Sequence, residues 1–139
     1  MDDTSRIEQH YGQASLLERL RHALQTEGLG EKTLRPQDLA PLDQFHSRGL
    51  KATAELARLL QIDTQARVLD IGSGLGGPSR YLAANYGCTV VGIDLNEHYV
   101  DAAKFLAEKT GLADRVSYYR ANALSLPFDA DSFDLAWTQ

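Results

Sequence analysis

The chain has 139 residues, of which 43% are hydrophobic and 24% charged, enough for one core that hides roughly two thirds of the unfolded surface. Its formal net charge of −5 argues against a nucleic-acid or anionic-membrane partner, since both need clustered Lys and Arg. The single cysteine, Cys88, excludes an internal disulfide and a Cys-based zinc site; no apolar run reaches the ~20 residues of a membrane span and no signal peptide begins the chain, so a cytoplasmic location is the expectation.

Residues 1–62 read as a helical segment. Ser5 and Glu8 have capping-box spacing, which would satisfy free amides at a helix start. Leu16, Leu17, Leu20, Ala23 and Leu24 recur at helical spacing, and Gly28 and Gly30 end that run. Thr33 to Pro41 reads as a linker with two prolines and room for one helical turn. A further helix from about Ser47 carries Leu50, Ala54, Ala57 and Leu60 on one face. These helices have no strand partner nearby, so they are expected to cover a unit built later in the chain.

From Arg67 strand and helix alternate. Residues 67–71 form a short buried-type strand, and Pro78 suits the first position of a helix that runs to Tyr86 and stops at Gly87. Cys88 to Ile93 is a second strand. Asn96 caps a helix to Thr110, closed by Gly111, with Tyr99, Ala103 and Leu106 as its buried stripe. Val116 to Tyr119 and Phe133 to Trp137 are the third and fourth strands. The alternation predicts an α/β, Rossmann-like, doubly wound parallel sheet, partial at four strands.

The chemistry is expected where the first strand ends. Asp70 is followed by a turn containing Gly72, Ser73, Gly74, Leu75, Gly76 and Gly77. Glycines let a ligand approach the backbone, and the helix start beyond them offers free amides. The spacing fits both a G-x-G-x-x-G dinucleotide turn and a tighter G-x-G-x-G. Asp70 separates them: a carboxylate there repels a pyrophosphate and attracts an ammonium group. Its alternative role is a cap on the turn amides. Asp94 closes the second strand 22 residues after Gly72, near the spacing at which an acid accepts from ribose hydroxyls. Leu95 could lie against a purine. Asn122 and Ala123 end the third strand, where Asn122 either meets an adenine edge or makes an ordinary turn. The histidines show no metal spacing, residues 129–134 lack the calcium-loop glycine and glutamate, and no metal is expected.

Residues 68–83 (VLDIGSGLGGPSRYLA), 90–94 (VVGID), 122–128 (NALSLPF) and 131–137 (DSFDLAW) resemble the ordered motifs of class I S-adenosylmethionine-dependent methyltransferases. The chain looks most like the small-molecule branch, such as the sarcosine/dimethylglycine, phosphoethanolamine and tocopherol enzymes, and residues 44–53 (QFHSRGLKAT) look like that branch's lead-in. The resemblance implies a sheet order of 3-2-1-4, with residues 1–62 a lid and 63–139 a half domain that binds S-adenosyl-L-methionine. It implies that Gly72 to Gly76, including Ser73 and Gly74, hold the cofactor's methionine part, with Asp70 reaching the ammonium directly or through water. Asp94 would hold the ribose and Leu95 the adenine, flanked by Asn122 and Ala123. Gln139 would lie near the sulfonium; His46, Ser47 and Tyr11 would close over the cofactor from the leader.

The implied reaction is direct displacement onto a small-molecule acceptor, an amine or a phenol or quinol, with no residue singled out as general base. The family sheet has about seven strands and four are read here, so a cofactor-binding fragment is expected. The fourth strand would present an open edge bearing Phe133, Leu135 and Trp137, which invites self-association. The competing functions are a nicotinamide-dependent oxidoreductase and a non-catalytic cofactor-binding or oligomerising module.

Overall fold

A computed structural model describes residues 16–43 and 49–139. Four parallel strands, β1 (Arg67–Ile71), β2 (Thr89–Asp94), β3 (Val116–Arg120) and β4 (Leu135–Trp137), form one sheet in the order β3-β2-β1-β4. Helices α1 (Leu16–Thr26), α2 (Pro36–Asp43) and α3 (Gly49–Arg58) precede β1; α4 (Gly77–Tyr86) joins β1 to β2, and α5 (Glu97–Lys109) joins β2 to β3. No helix among the described residues is long and apolar enough to cross a membrane.

The expected sheet order is observed, and the punctuation works as read. Gly76 precedes α4, Pro78 sits in its first turn, and Gly87 ends it in the left-handed conformation. Asn96 accepts from the His98 and Tyr99 amides at the start of α5, offsetting two of the four donors that a helix start leaves unpaired.

Register places Asp70 beside Gly92 and Trp137, and Gly92 beside Tyr118. Their side chains share one face with Val68, Val90 and Val116, and this face carries the main core with Ala57, Leu82, Ala103 and Cys88. A second cluster joins Leu20 and Leu24 of α1, Leu34, and Leu39 of α2 to Ala102 and Leu106 of α5. It also includes Leu75 from the glycine turn. The leader helices therefore cover the unit built after them and grip its turn.

Four readings change. The presumed linker contains α2, because Pro36 opens a helix and Asp38 accepts from the Arg35 amide at 2.9 Å; a proline in a first turn starts a helix rather than breaking one. In α3 Ala57 is buried and Leu60 packs on the core as expected, but the second fully covered position is Thr53 rather than Ala54. In α5 Val100 takes the buried place expected of Tyr99, which is 40% exposed. The outer strand does not display three apolar side chains: Phe133 precedes β4 and packs edge-on against Phe128, and Trp137 is buried. The capping-box residues Ser5 and Glu8 lie outside the described residues.

Candidate functional site

The turn after β1 is stitched to the end of β2. The Gly72 and Ser73 amides both donate to the Ile93 carbonyl at 2.9 Å, and the Gly76 amide donates to the Ser73 carbonyl at 2.8 Å. Gly72 and Gly74 have φ of 71° and 53°, and a Cβ on either would meet no described atom within 4 Å. The outer side of the turn is thus open, with bare backbone facing outward.

Asp94 is where the sequence reading put it, at the mouth of β2 and against the turn. One carboxylate oxygen accepts from the Gly74 amide at 3.0 Å and the other from the Asn96 amide at 2.9 Å. These bonds fix the carboxylate beside the open backbone. Each oxygen has more than one lone pair, so acceptor capacity remains for hydroxyl groups. Leu95 follows it and is 65% exposed, an apolar surface next to the acid.

Asp70 lies beneath the turn and is only 2% exposed. Its carboxylate accepts from the Ser79 hydroxyl of α4 at 2.6 Å. Burial pushes its pKa up from 3.8 to about 7; the Ser79 hydrogen bond opposes that rise, the nearby Asp94 charge adds to it, and the Arg80 charge opposes it. Asp70 therefore titrates near neutrality. It does not cap the turn amides of Gly72, Ser73, Gly74 and Gly76, which find their partners on Ile93, Asp94 and Ser73.

Asn122 and Ala123 are exposed after β3. The Asn122 side-chain oxygen accepts from the Leu124 amide at 2.9 Å, the ordinary turn alternative, which commits that oxygen locally. The chain is brought alongside the turn by the Ala121 amide, which donates to the Asp94 carbonyl at 3.1 Å. Gln139 follows β4, and its side-chain oxygen accepts from the Thr53 hydroxyl at 3.1 Å. Thr53 was missed in sequence reasoning. A threonine at helical spacing among Leu50, Leu56, Ala57 and Leu60 was its signal. Tyr11, His46 and Ser47 lie outside the described residues.

Arg80 and Tyr118 were also missed as neighbours of the turn. Both are buried. Arg80 donates through Nη1 to the Leu75 carbonyl at 2.6 Å, and the Tyr118 hydroxyl donates to the Gly76 carbonyl at 3.2 Å.

Residues 68–139 match the profile of a family described as "Methyltransferase domain". The chain is 45% identical over 83 residues to 24-methylenesterol C-methyltransferase 2 of Oryza sativa subsp. japonica, covering 60% of this chain and 23% of that one. It is 42% identical over 72 residues to the chloroplastic tocopherol O-methyltransferase of Arabidopsis thaliana, covering 52% and 21%. Among solved structures it superposes with a TM-score of 0.59 on geranyl diphosphate C-methyltransferase from Streptomyces coelicolor A3(2), in complex with Mg2+, geranyl diphosphate and S-adenosyl-L-homocysteine. That pair is 27% identical, with 63% of this chain and 34% of the other covered. The chain spans about a fifth to just over a third of the length of the curated relatives it matches.

Proposed function

Because the chain belongs to the methyltransferase-domain family, we propose that it binds S-adenosyl-L-methionine over the Gly72–Gly76 turn and serves transfer of the methyl group to a small molecule. The observation that carries this reading is the open glycine backbone held 3.0 Å from the Asp94 carboxylate. An amino acid joined to a nucleoside fits that pairing, with its zwitterion over the backbone and its ribose on Asp94. A diphosphate does not, because the Asp70 carboxyl group lies beneath the turn that would hold it.

The residues fit the cofactor as follows. Gly72, Ser73, Gly74 and Gly76 receive the methionine part. Asp70 offers little surface, so its attraction for the ammonium acts through the field or a bridging water. Asp94 takes the ribose hydroxyls, Leu95 covers one adenine face, and Asn122 and Ala123 border it, Asn122 through its amide nitrogen or backbone. Gln139, held by Thr53, stands on the β4 side.

When bound, the sulfonium supplies an electrophilic methyl carbon. The chain's own task is then to fix geometry and keep water out. Holding donor and acceptor in line is worth up to roughly 7–11 kcal/mol in well-aligned systems. Helices α1–α3 serve as the cover, since closure over a charged centre strengthens each electrostatic contact inside. No side chain is assigned as general base, and an amine needs only to arrive deprotonated.

The acceptor is a small molecule, an amine, a phenol or quinol, or a carbon nucleophile. The similar proteins named above act, by their names, at carbon and at oxygen, so the reading stops at that class. The acidic balance favours such acceptors over RNA, and a cytoplasmic location accords with it. We further infer that the outer edge of β4, unpaired among the described residues, is a site of self-association.

Melting the protein with S-adenosylmethionine and, separately, NADH tests the reading. A rise in melting temperature with the first and none with the second is expected. A rise with NADH alone would overturn it.

A further inference from the structure

Beneath the glycine turn lies a buried polar pair, Arg80 and Tyr118, for which the proposed cofactor contacts leave no role. Arg80 is wholly covered, and Tyr118 is 1% exposed. Taking a guanidinium out of water is costly, and an aliphatic side chain would fill the same volume without that cost. Among the donors Arg80 adds, Nη1 reaches the Leu75 carbonyl at 2.6 Å. The same nitrogen lies 3.4 Å from the Tyr118 hydroxyl, which donates in turn to the Gly76 carbonyl at 3.2 Å. Two successive carbonyls of the turn are thus tied inward.

Two glycines are shaped around this pair. A Cβ on Gly76 would fall 2.2 Å from the Tyr118 hydroxyl and 2.8 Å from Arg80 Nη1. A Cβ on Gly92 would fall 2.6 Å from the Tyr118 ring and 2.8 Å from the Ser73 side chain. The ring passes over Gly92 of β2 to reach the turn. Gly76 is also left-handed, with φ of 82°. From the other side the Leu75 side chain is gripped by α1, α2 and α5. The turn is therefore clamped at residues 75 and 76 and open at residues 72 and 74.

We propose that Arg80 and Tyr118 are positioning residues that hold the turn in the shape that receives the amino-acid end of the cofactor. The inference rests on the proposed cofactor reading. Neither side chain touches the ligand; both act through the backbone of Leu75 and Gly76. The nucleoside end is assigned to Asp94 and Leu95, not to the clamped residues 75 and 76.

Calorimetric titration with S-adenosylhomocysteine and with 5′-methylthioadenosine, which lacks the amino-acid end, separates this from a general structural role. Tyr118→Phe keeps the ring and removes only the hydroxyl. It should weaken S-adenosylhomocysteine about fivefold or more, as expected for one lost hydrogen bond, and methylthioadenosine less than about twofold. Arg80→Lys, which keeps the charge but not the fork, should show the same selectivity, and either variant decides the matter if the other does not fold. Equal loss for both ligands, or no loss for S-adenosylhomocysteine, overturns the inference while the cofactor reading stands. A wild-type chain that binds neither ligand overturns the cofactor reading, and the inference with it.

Discussion

Asp70 and Asp94 show how two like residues at the ends of neighbouring strands acquire different tasks. Asp94 is partly exposed and held by two amides, so it stays available to hydroxyls. Asp70 is covered, and its pKa rises to about 7. A carboxyl that keeps its proton in the fold while the unfolded chain has lost it makes stability fall as pH rises from about 4 to about 7. Comparing urea midpoints at pH 5 and pH 8 should show Asp70→Asn losing less stability over that interval than wild type. An ammonium ligand prefers the ionised form, so S-adenosylhomocysteine should bind more tightly at pH 8 than at pH 6, by up to about tenfold. The charged groups around Asp70 are Asp94 and Arg80, and the variant isolates the share of Asp70 itself. For Asp94→Asn we expect a cofactor affinity lower by about ten- to a hundredfold by titration, the range for a charge-assisted hydrogen bond. The glycines and both acids were legible from residue type and spacing alone. Arg80 and Tyr118 were not, because 38 residues separate them and only the β2–β3 register brings them together.

Helices and strands were read where side-chain chemistry makes a local statement. Asn96 is such a case, and Asn96→Ala should cost about 1 kcal/mol in a denaturation midpoint. Gly76 is a stronger one. Gly76→Ala places an L residue at φ of 82° with its Cβ 2.2 Å from a buried hydroxyl. Left-handed strain alone is roughly 1–2 kcal/mol, and displacing Tyr118 adds to it, so urea denaturation should show a loss on the order of 3 kcal/mol or more. Elements whose signals are ambiguous were less legible. Pro36 and Pro41 look like breakers in a sequence, and only the Arg35–Asp38 contact marks α2 as a helix start. The buried stripe of α5 turned by one position, from Tyr99 to Val100, because neighbouring apolar residues satisfy the same helical period. In β4 the apolar run Phe133, Leu135 and Trp137 reads as one alternating strand, yet Asp134 exchanges backbone and carboxylate bonds with Arg67 and fixes Phe133 outside it.

At the scale of the whole molecule, one layer of helices covers the sheet face that carries Val68, Asp70 and Trp137, and the leader helices share their apolar cluster with the glycine turn. The parallel order was legible because a strand–helix–strand repeat admits almost no other connection. The grip of α1 and α2 on Leu75 was not, since nothing local says which surface a leader helix will meet. The outer edge of β4, unpaired among the described residues, predicts a species larger than a monomer by light scattering coupled to size exclusion; a monomer across the micromolar range would contradict it. The central claim is that the site selects a zwitterion joined to a nucleoside. Equilibrium dialysis of labelled S-adenosylmethionine against the chain, with and without excess NADH, measures that selection directly. Saturable retention that NADH does not displace is the predicted result. Retention abolished by NADH, or equal in wild type and Asp94→Ala, would contradict it.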